Sequence, residues 1–137
     1  MSGLDQLIRL QRWTLDEKRR QASDLELLIE RLIQDIIKLD EQVEREIEAS
    51  RADLELQRAL PGYRNAMKSR RERLDKSLVD LRGELEKLRE QITEAFSDLK
   101  KTEQTQKNRE QRQRLAERRK DQAISDEVGL QQHRRKG

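Results

Sequence analysis

Cysteine is absent from this 137-residue chain, and proline and aromatic residues are nearly absent: there is one Pro, one Trp, one Tyr and one Phe. Without cysteine the chain has no disulfide framework and no thiolate metal site, which suits a reducing cytosol. Because 43% of the residues are charged and only 2% are aromatic, the chain cannot fill a compact globular core. Two classes fit this composition, a disordered chain and a long helical assembly.

Long apolar runs are also missing. No stretch approaches the ~20 consecutive apolar residues that span a bilayer. The start, MSGLDQLIRLQRW, lacks the continuous apolar segment of a secretory signal. We therefore expect a soluble, cytoplasmic protein.

Residues that carry chemistry are equally scarce. The single histidine, His133, lies near the C-terminus, so we expect neither a metal site nor histidine-based catalysis. The sequence has no glycine-rich phosphate-binding loop, and its carboxylates are typical of a solvated helix surface. The prediction is a protein without enzymatic activity, cofactor, metal or small-molecule ligand.

The first half of the chain has a heptad pattern. Steps of four and three residues from Leu4 reach an apolar residue at ten of twelve positions. These positions are Leu4, Ile8, Gln11, Leu15, Lys18, Ala22, Leu25, Ile29, Leu32, Ile36, Leu39 and Val43. Such a repeat is the a/d seam of a coiled coil, and it favours helix over disorder.

The pattern returns in the second half, from Met67 to Leu99, with one polar position in ten. Between the halves lies the only proline, Pro61, followed by Gly62. Proline disfavours a helix interior, and glycine permits a chain reversal. The prediction is an all-α, antiparallel coiled-coil hairpin, with helix 1 at about 4–59, a turn at 60–63, helix 2 at about 64–122 and a partly frayed basic tail at 123–137.

This bend predicts that residue i faces a residue near 123 − i, which brings the two richest apolar stretches together. The predicted register leaves Leu4, Leu7, Ile8 and Leu15 facing a polar part of helix 2, so the open end of the hairpin lacks apolar partners. Gly83 falls inside helix 2, where it costs about 1 kcal/mol relative to Ala. The sequence does not say whether this glycine permits close approach of the helices.

Charge is distributed unevenly along the chain. Residues 101–120, KTEQTQKNREQRQRLAERRK, hold eight basic and three acidic side chains. Three interpretations are open: a solvated helix face, a nucleic-acid contact, or a contact with an acidic protein surface. No aromatic residue interleaves for base stacking, and we expect no nucleic acid.

The open end also carries the only tryptophan. On a helical wheel Leu10 and Trp13 point away from the seam, so Trp13 is either an isolated surface aromatic or a binding anchor. We predict a partner-binding face at residues 1–15 with 105–137. Its candidate residues are Leu7, Leu10, Trp13, Arg112, Arg118 and Arg119.

The chain resembles one family, the FliJ proteins of the bacterial flagellar type III export apparatus, with the YscO-type proteins of injectisomes as relatives. The likeness is carried by LIRLQRWTLDEKRRQASDLE at the start and LAERRKDQAISDEVGLQQHRR at the end. The length and the midpoint reversal are similar as well.

The resemblance implies a stalk similar to the gamma subunit of a rotary ATPase. Such a stalk inserts into the hexameric export ATPase ring, promotes its assembly, and bridges to the export gate membrane protein and to substrate chaperones. It implies a location in the cytoplasm, peripheral to the inner membrane at the base of the export apparatus. The alternative is a generic cytoplasmic coiled-coil scaffold or a nucleic-acid-associated coiled coil with a basic C-terminal arm.

Overall fold

A computed structural model describes residues 3–136 and contains two long helices. Helix α1 spans Gly3–Ser50 and helix α2 spans Leu54–Lys136. The two helices pack together as a hairpin, and the described residues contain no strand. The predicted all-α helical hairpin is confirmed.

The predicted heptad positions of α1 form its contact surface, which we call the α1 seam. All twelve are buried or half-buried, including the polar Gln11 and Lys18. Ile8, Leu15 and Leu39 are among the most buried side chains, at 5%, 3% and 4% exposure. Burial of these apolar surfaces is the main favourable term for pairing the helices.

The α2 seam is confirmed in the same way. Every predicted position from Met67 to Leu99 is buried or half-buried, and Leu85, Leu88 and Leu99 are buried. Ala22 of α1 forms a cluster with Leu85 and Leu88. A small side chain on one helix therefore faces leucines on the other.

The turn lies at residues 51–53, so its predicted position at 60–63 is wrong, as is the predicted end of helix 1 near residue 59. Ser50 ends α1, and its hydroxyl donates to the carbonyl of Ile47 at 2.7 Å. Asp53 caps α2, because its carboxylate accepts from the amides of Glu55 at 2.9 Å and Leu56 at 3.3 Å. These bonds satisfy amide groups that a helix start otherwise leaves without a partner.

Pro61 lies inside α2 and is exposed. It cannot donate a hydrogen bond to the carbonyl of residue 57, and such a position costs about 3 kcal/mol. The apolar side chains around it favour helix, since Leu60, Tyr63 and Met67 are half-buried and join the α2 seam at Arg71 through one step of three and two steps of four residues. Packing across the hairpin therefore outweighs the local preference of the proline.

The register, that is, which residues of α1 and α2 face each other, is set by the turn at residues 51–53. The predicted register is therefore wrong. Lys18 donates to the Gln91 side chain at 2.9 Å, whereas a bend at Pro61 would place it near residue 105. Asp40 pairs with Arg71, whereas the predicted partner lies near residue 83. Each observed partner is about two heptads nearer to the start of α2. A shift by whole heptads keeps seam facing seam, which is why the burial pattern agrees with the prediction.

Helix α2 has 83 residues and α1 has 48. The predicted end of helix 2 near residue 122 and the frayed tail from 123 are wrong, since α2 continues to Lys136 and Gly137 lies outside the described residues. Local bonds support this part, such as the one from the Gln122 amide to Asp126 at 3.0 Å. The last turn contains His133, Arg134, Arg135 and Lys136. The charges of Arg134, Arg135 and Lys136 complement the negative end of the helix dipole.

The chain divides into two compact units. One spans Thr14–Glu94 and includes the turn. The other combines the start of α1, up to Trp13, with α2 from Ala95 onward. We call these the turn unit and the terminal unit. All the candidate partner-binding residues belong to the terminal unit.

Candidate protein-interaction site

Three apolar candidates lie on the exposed side of α1. Leu7, Leu10 and Trp13 are 41%, 58% and 64% exposed. Ile8, in contrast, is buried in the α1 seam and Leu4 is half-buried, so the expectation that the seam residues of this end lack apolar cover is wrong for them. Only the residues off the seam are available to a partner.

The three basic candidates lie on a part of α2 that no other element covers. Every residue from Lys107 to Lys136 is exposed, and we call this segment the α2 extension. Arg112, Arg118 and Arg119 form no ion pair with any residue in the described range 3–136. The uncovered segment begins at residue 107, well before the predicted residue 123, because the turn lies earlier in the chain than Pro61.

The apolar and basic candidates extend in opposite directions along the helices. Gln106 of α2 hydrogen-bonds Asp5 of α1, which fixes the register of the terminal unit. At about 1.5 Å per residue, Trp13 lies ~12 Å from Asp5 in one direction along the helices, and Arg118 lies ~18 Å from Gln106 in the other. Trp13 and Arg118 are therefore about 30 Å apart, whereas Leu7 and Arg112, at the near ends of the two sets, are about 12 Å apart along the axis.

Within the terminal unit, Lys100 makes two contacts inside α2, one with an aromatic ring and one with a carboxylate. The ammonium of Lys100 lies 5.3 Å from the centre of the Phe96 ring and 3.7 Å from the Glu103 carboxylate. A cation over an aromatic face is attracted by the electrons of the ring. Lys100 is therefore engaged within its own helix, unlike the arginines of the α2 extension.

The turn unit contains the one polar position of the predicted α2 seam, Arg71. Its guanidinium bonds Asp40 of α1 and also Asp75 on its own helix at 3.1 Å. Hydrogen bonds to Asp40, and then to Asp75, raise the pKa of Arg71 above its ordinary value. A polar group paired across a seam favours one register, since a slip of one heptad would place an isoleucine, Ile33 or Ile47, opposite Arg71.

A second ion pair lies on the surface of α1. Glu17 accepts from Arg20, and this hydrogen bond lowers the pKa of the Glu17 carboxyl. The same bond raises the pKa of Arg20. Because Arg20 is exposed and Glu17 only half-buried, water screens the pair and it adds little to folding.

Sequence reasoning missed the residues that set the turn and the register. Asp53 followed by Leu54 and Glu55 is a recognisable helix start, and Ser50 ends the heptad run of α1 in phase. The apolar residues Leu60, Tyr63 and Met67, three and four residues apart, would have indicated that one face of the helix continues past Pro61, with a change of phase at Met67. These sequence features indicate the turn and the seam less strongly than a proline indicates a helix break, so the proline decided the prediction.

Residues 3–136 contain no group of three or more His, Asp or Glu side chains placed to hold a metal ion. Within the same range, neither helix has a stretch that is apolar and long enough to cross a membrane.

Comparisons of the chain with protein-family models, curated proteins and solved structures find no match.

Proposed function

We propose that the protein is a non-enzymatic stalk and adaptor of a bacterial flagellar type III export apparatus. In this role it inserts into the hexameric export ATPase ring, promotes assembly of the ring, and couples it to the export gate and to substrate chaperones. It works in the cytoplasm, at the inner-membrane base of the apparatus. The proposal combines the resemblance of the chain ends to the FliJ family with the unequal lengths of the two helices.

The observation that carries the proposal is the α2 extension. Residues 107–136 are helical and exposed throughout, so this helix offers its whole surface to a partner. A central channel that surrounds a single helix would cover such a surface. The exposed arginines Arg112, Arg118 and Arg119 would then meet carboxylates of the ring, each pair adding ~1.5–3 kcal/mol if buried and up to ~1 kcal/mol if exposed.

The separation of the two surfaces revises which residues engage the ring. The α2 extension is the inserting part, and Leu7, Leu10 and Trp13 form a second contact, in which Trp13 lies about 30 Å from Arg118. Trp13, at 64% exposure, is suited to be an anchor for the ring entrance or for another component of the apparatus. The two contacts can therefore be lost separately.

The test is stimulation of ATP hydrolysis by purified export ATPase. A chain truncated after Gln106 keeps every buried seam residue and should lose most of the stimulation. Replacing Arg118 and Arg119 together by Gln should raise the half-stimulating concentration about tenfold, with the same helical circular dichroism. Trp13→Ala should have a smaller effect, and Val79→Ala, which changes an exposed residue of the turn unit, should have none.

Two outcomes would contradict the role. One is full stimulation by the truncated chain with a normal half-stimulating concentration. The other is an absence of binding to the ATPase by the intact chain. A generic scaffold would show the second outcome, whereas the first would mean that the α2 extension is not the inserting part.

A further inference from the structure

One side of α2 carries the carboxylates near the point where α1 ends its cover and the α2 extension begins. Successive residues of an α-helix turn by about 100°, so their angular positions follow from the sequence. Between residues 101 and 121 the acidic residues fall within an arc of about 40°. This acidic ridge consists of Glu103, Glu110, Glu117 and Asp121.

Two rows of basic side chains lie on the other side of the helix, about 130° apart. The first row consists of Lys107, Arg114 and Arg118, and the second of Lys101, Arg112 and Arg119. All six are exposed, and none forms an ion pair within the range 3–136.

A strip of uncharged side chains separates the two rows. Its members, all exposed, are Gln104, Asn108, Gln111 and Leu115. The amide of Gln104 donates to the side-chain oxygen of Asn108 at 3.0 Å. The strip is about 160° from the α2 seam positions Leu99 and Gln106, so α1 does not cover it. We call the strip with its two rows the positive face.

We propose that the positive face binds an acidic segment of another protein, in the form of a helix that carries carboxylates at heptad spacing. Lys107 and Arg114 are seven residues apart, as are Arg112 and Arg119, which is about 10.5 Å along the axis. A helix laid alongside with Glu or Asp every seven residues matches both intervals. The amides of the strip can hydrogen-bond such a partner, and Leu115, at 51% exposure, can make an apolar contact.

The acidic ridge favours a protein over a nucleic acid as this partner. The ridge lies only about 55° round the helix from the first basic row. A phosphate backbone that follows this row would lie beside the carboxylates of Glu103 and Glu110, and like charges would repel. A protein partner can place lysines there. The segment also has no aromatic side chain on which bases could stack.

Three residues of the positive face, Arg112, Arg118 and Arg119, are those of the proposed ATPase contact. The inference rests on the proposed function in this respect and deepens it, because it states the chemistry and the spacing of the partner. Its test uses a peptide rather than the ATPase, so the two proposals can fail separately.

The probe is a fluorescein-labelled, monomeric, alanine-rich helical peptide with glutamates at heptad spacing. Its binding to the full chain is measured by fluorescence anisotropy at about 0.1 M salt, where long-range attraction is screened. The face variant replaces Arg112 and Arg119 by Gln. The control variant replaces Arg109 and Lys120 by Gln, which removes the same charge from exposed positions about 60–100° outside the second row.

The face variant should bind the peptide about tenfold more weakly, because two exposed arginine–carboxylate pairs are lost, and the control less than about threefold. Circular dichroism should be equal for both, since Gln is close to Arg and Lys in helix propensity. A peptide of the same composition with its glutamates shuffled around the helix should bind the intact chain more weakly than the ordered one.

Three outcomes would overturn the inference. Equal losses in the two variants would indicate general attraction between polyelectrolytes. Absence of peptide binding to the intact chain would remove the surface as an acidic-protein site. Tighter binding of a DNA duplex than of the ordered peptide at the same salt would show that the face binds phosphates instead.

Discussion

The turn unit and the α2 extension are both α-helical, but they differ in how much of the helix surface is buried. In the turn unit, α1 and α2 cover one another, and Ala22, Leu85 and Leu88 form a buried cluster. In the α2 extension no residue is buried, and the side-chain bonds join residues of one helix, as between Gln122 and Asp126. The difference indicates that global stability comes from the paired seams, whereas the extension remains open to a partner.

The largest effect should come from breaking the buried cluster. Leu85→Ala should lower the free energy of unfolding by about 2–5 kcal/mol, because it removes a side chain that is 6% exposed. Leu130→Ala, at 54% exposure in the extension, should change it by less than about 0.5 kcal/mol. Urea unfolding followed by circular dichroism measures both. Equal losses would mean that the extension is also packed.

Pro61→Ala should stabilise the turn unit. The proline lies inside α2, so alanine restores a helical hydrogen bond and should add about 3 kcal/mol to the free energy of unfolding. Ser125→Ala, at an exposed helical site in the extension, is the control and should add less than about 0.5 kcal/mol. A loss of stability in Pro61→Ala would instead place the bend at the proline.

The cap of α2 gives a smaller effect. Asp53→Ala removes the acceptor for the amides of Glu55 and Leu56 and should cost about 1 kcal/mol. Asp53→Asn keeps an acceptor oxygen and should cost only a few tenths. Thermal melts of the two variants distinguish them. Identical melts for Ala and wild type would argue against a turn at residues 51–53.

A comparison of the same substitution in the two regions ends with the smallest effect, that of Gly129→Ala. Alanine at Gly83 or Gly129 would meet no atom within 4 Å, so each change improves helix propensity without a clash. Gly83→Ala should raise the free energy of unfolding by about 1 kcal/mol. Gly129→Ala should leave that value unchanged and slow amide exchange only near residue 129, because the extension unfolds locally. A global gain from Gly129→Ala would show that the extension unfolds together with the seams.

The sequence predicted the seams well but not the register, for a physical reason. A heptad pattern determines which side of each helix faces its partner, and every predicted seam position is at least half-buried. The pattern repeats every seven residues, so it cannot distinguish pairings that differ by whole heptads. The choice between these pairings depends on individual residues, namely the Asp53 cap and the Asp40–Arg71 pair.

Pro61 misled the prediction because its local cost was treated as decisive. The cost of about 3 kcal/mol is comparable to the gain from burying one or two large apolar side chains. Leu60 and Tyr63, which flank the Pro61-Gly62 pair, provide such burial. The candidate arginines were identified correctly as lacking a seam partner, but their separation from Trp13 depends on the register and could not be predicted without it.

Amide hydrogen exchange of the full chain, compared with a chain truncated after Gln106, tests the division between paired seams and open extension most directly. Amides around Leu85 and Leu88 should exchange only through global unfolding, and those of residues 107–136 many-fold faster through local opening. The truncation should leave the protection of the remaining amides unchanged. Protection of the extension equal to that of the seam, or a loss of seam protection on truncation, would contradict the account.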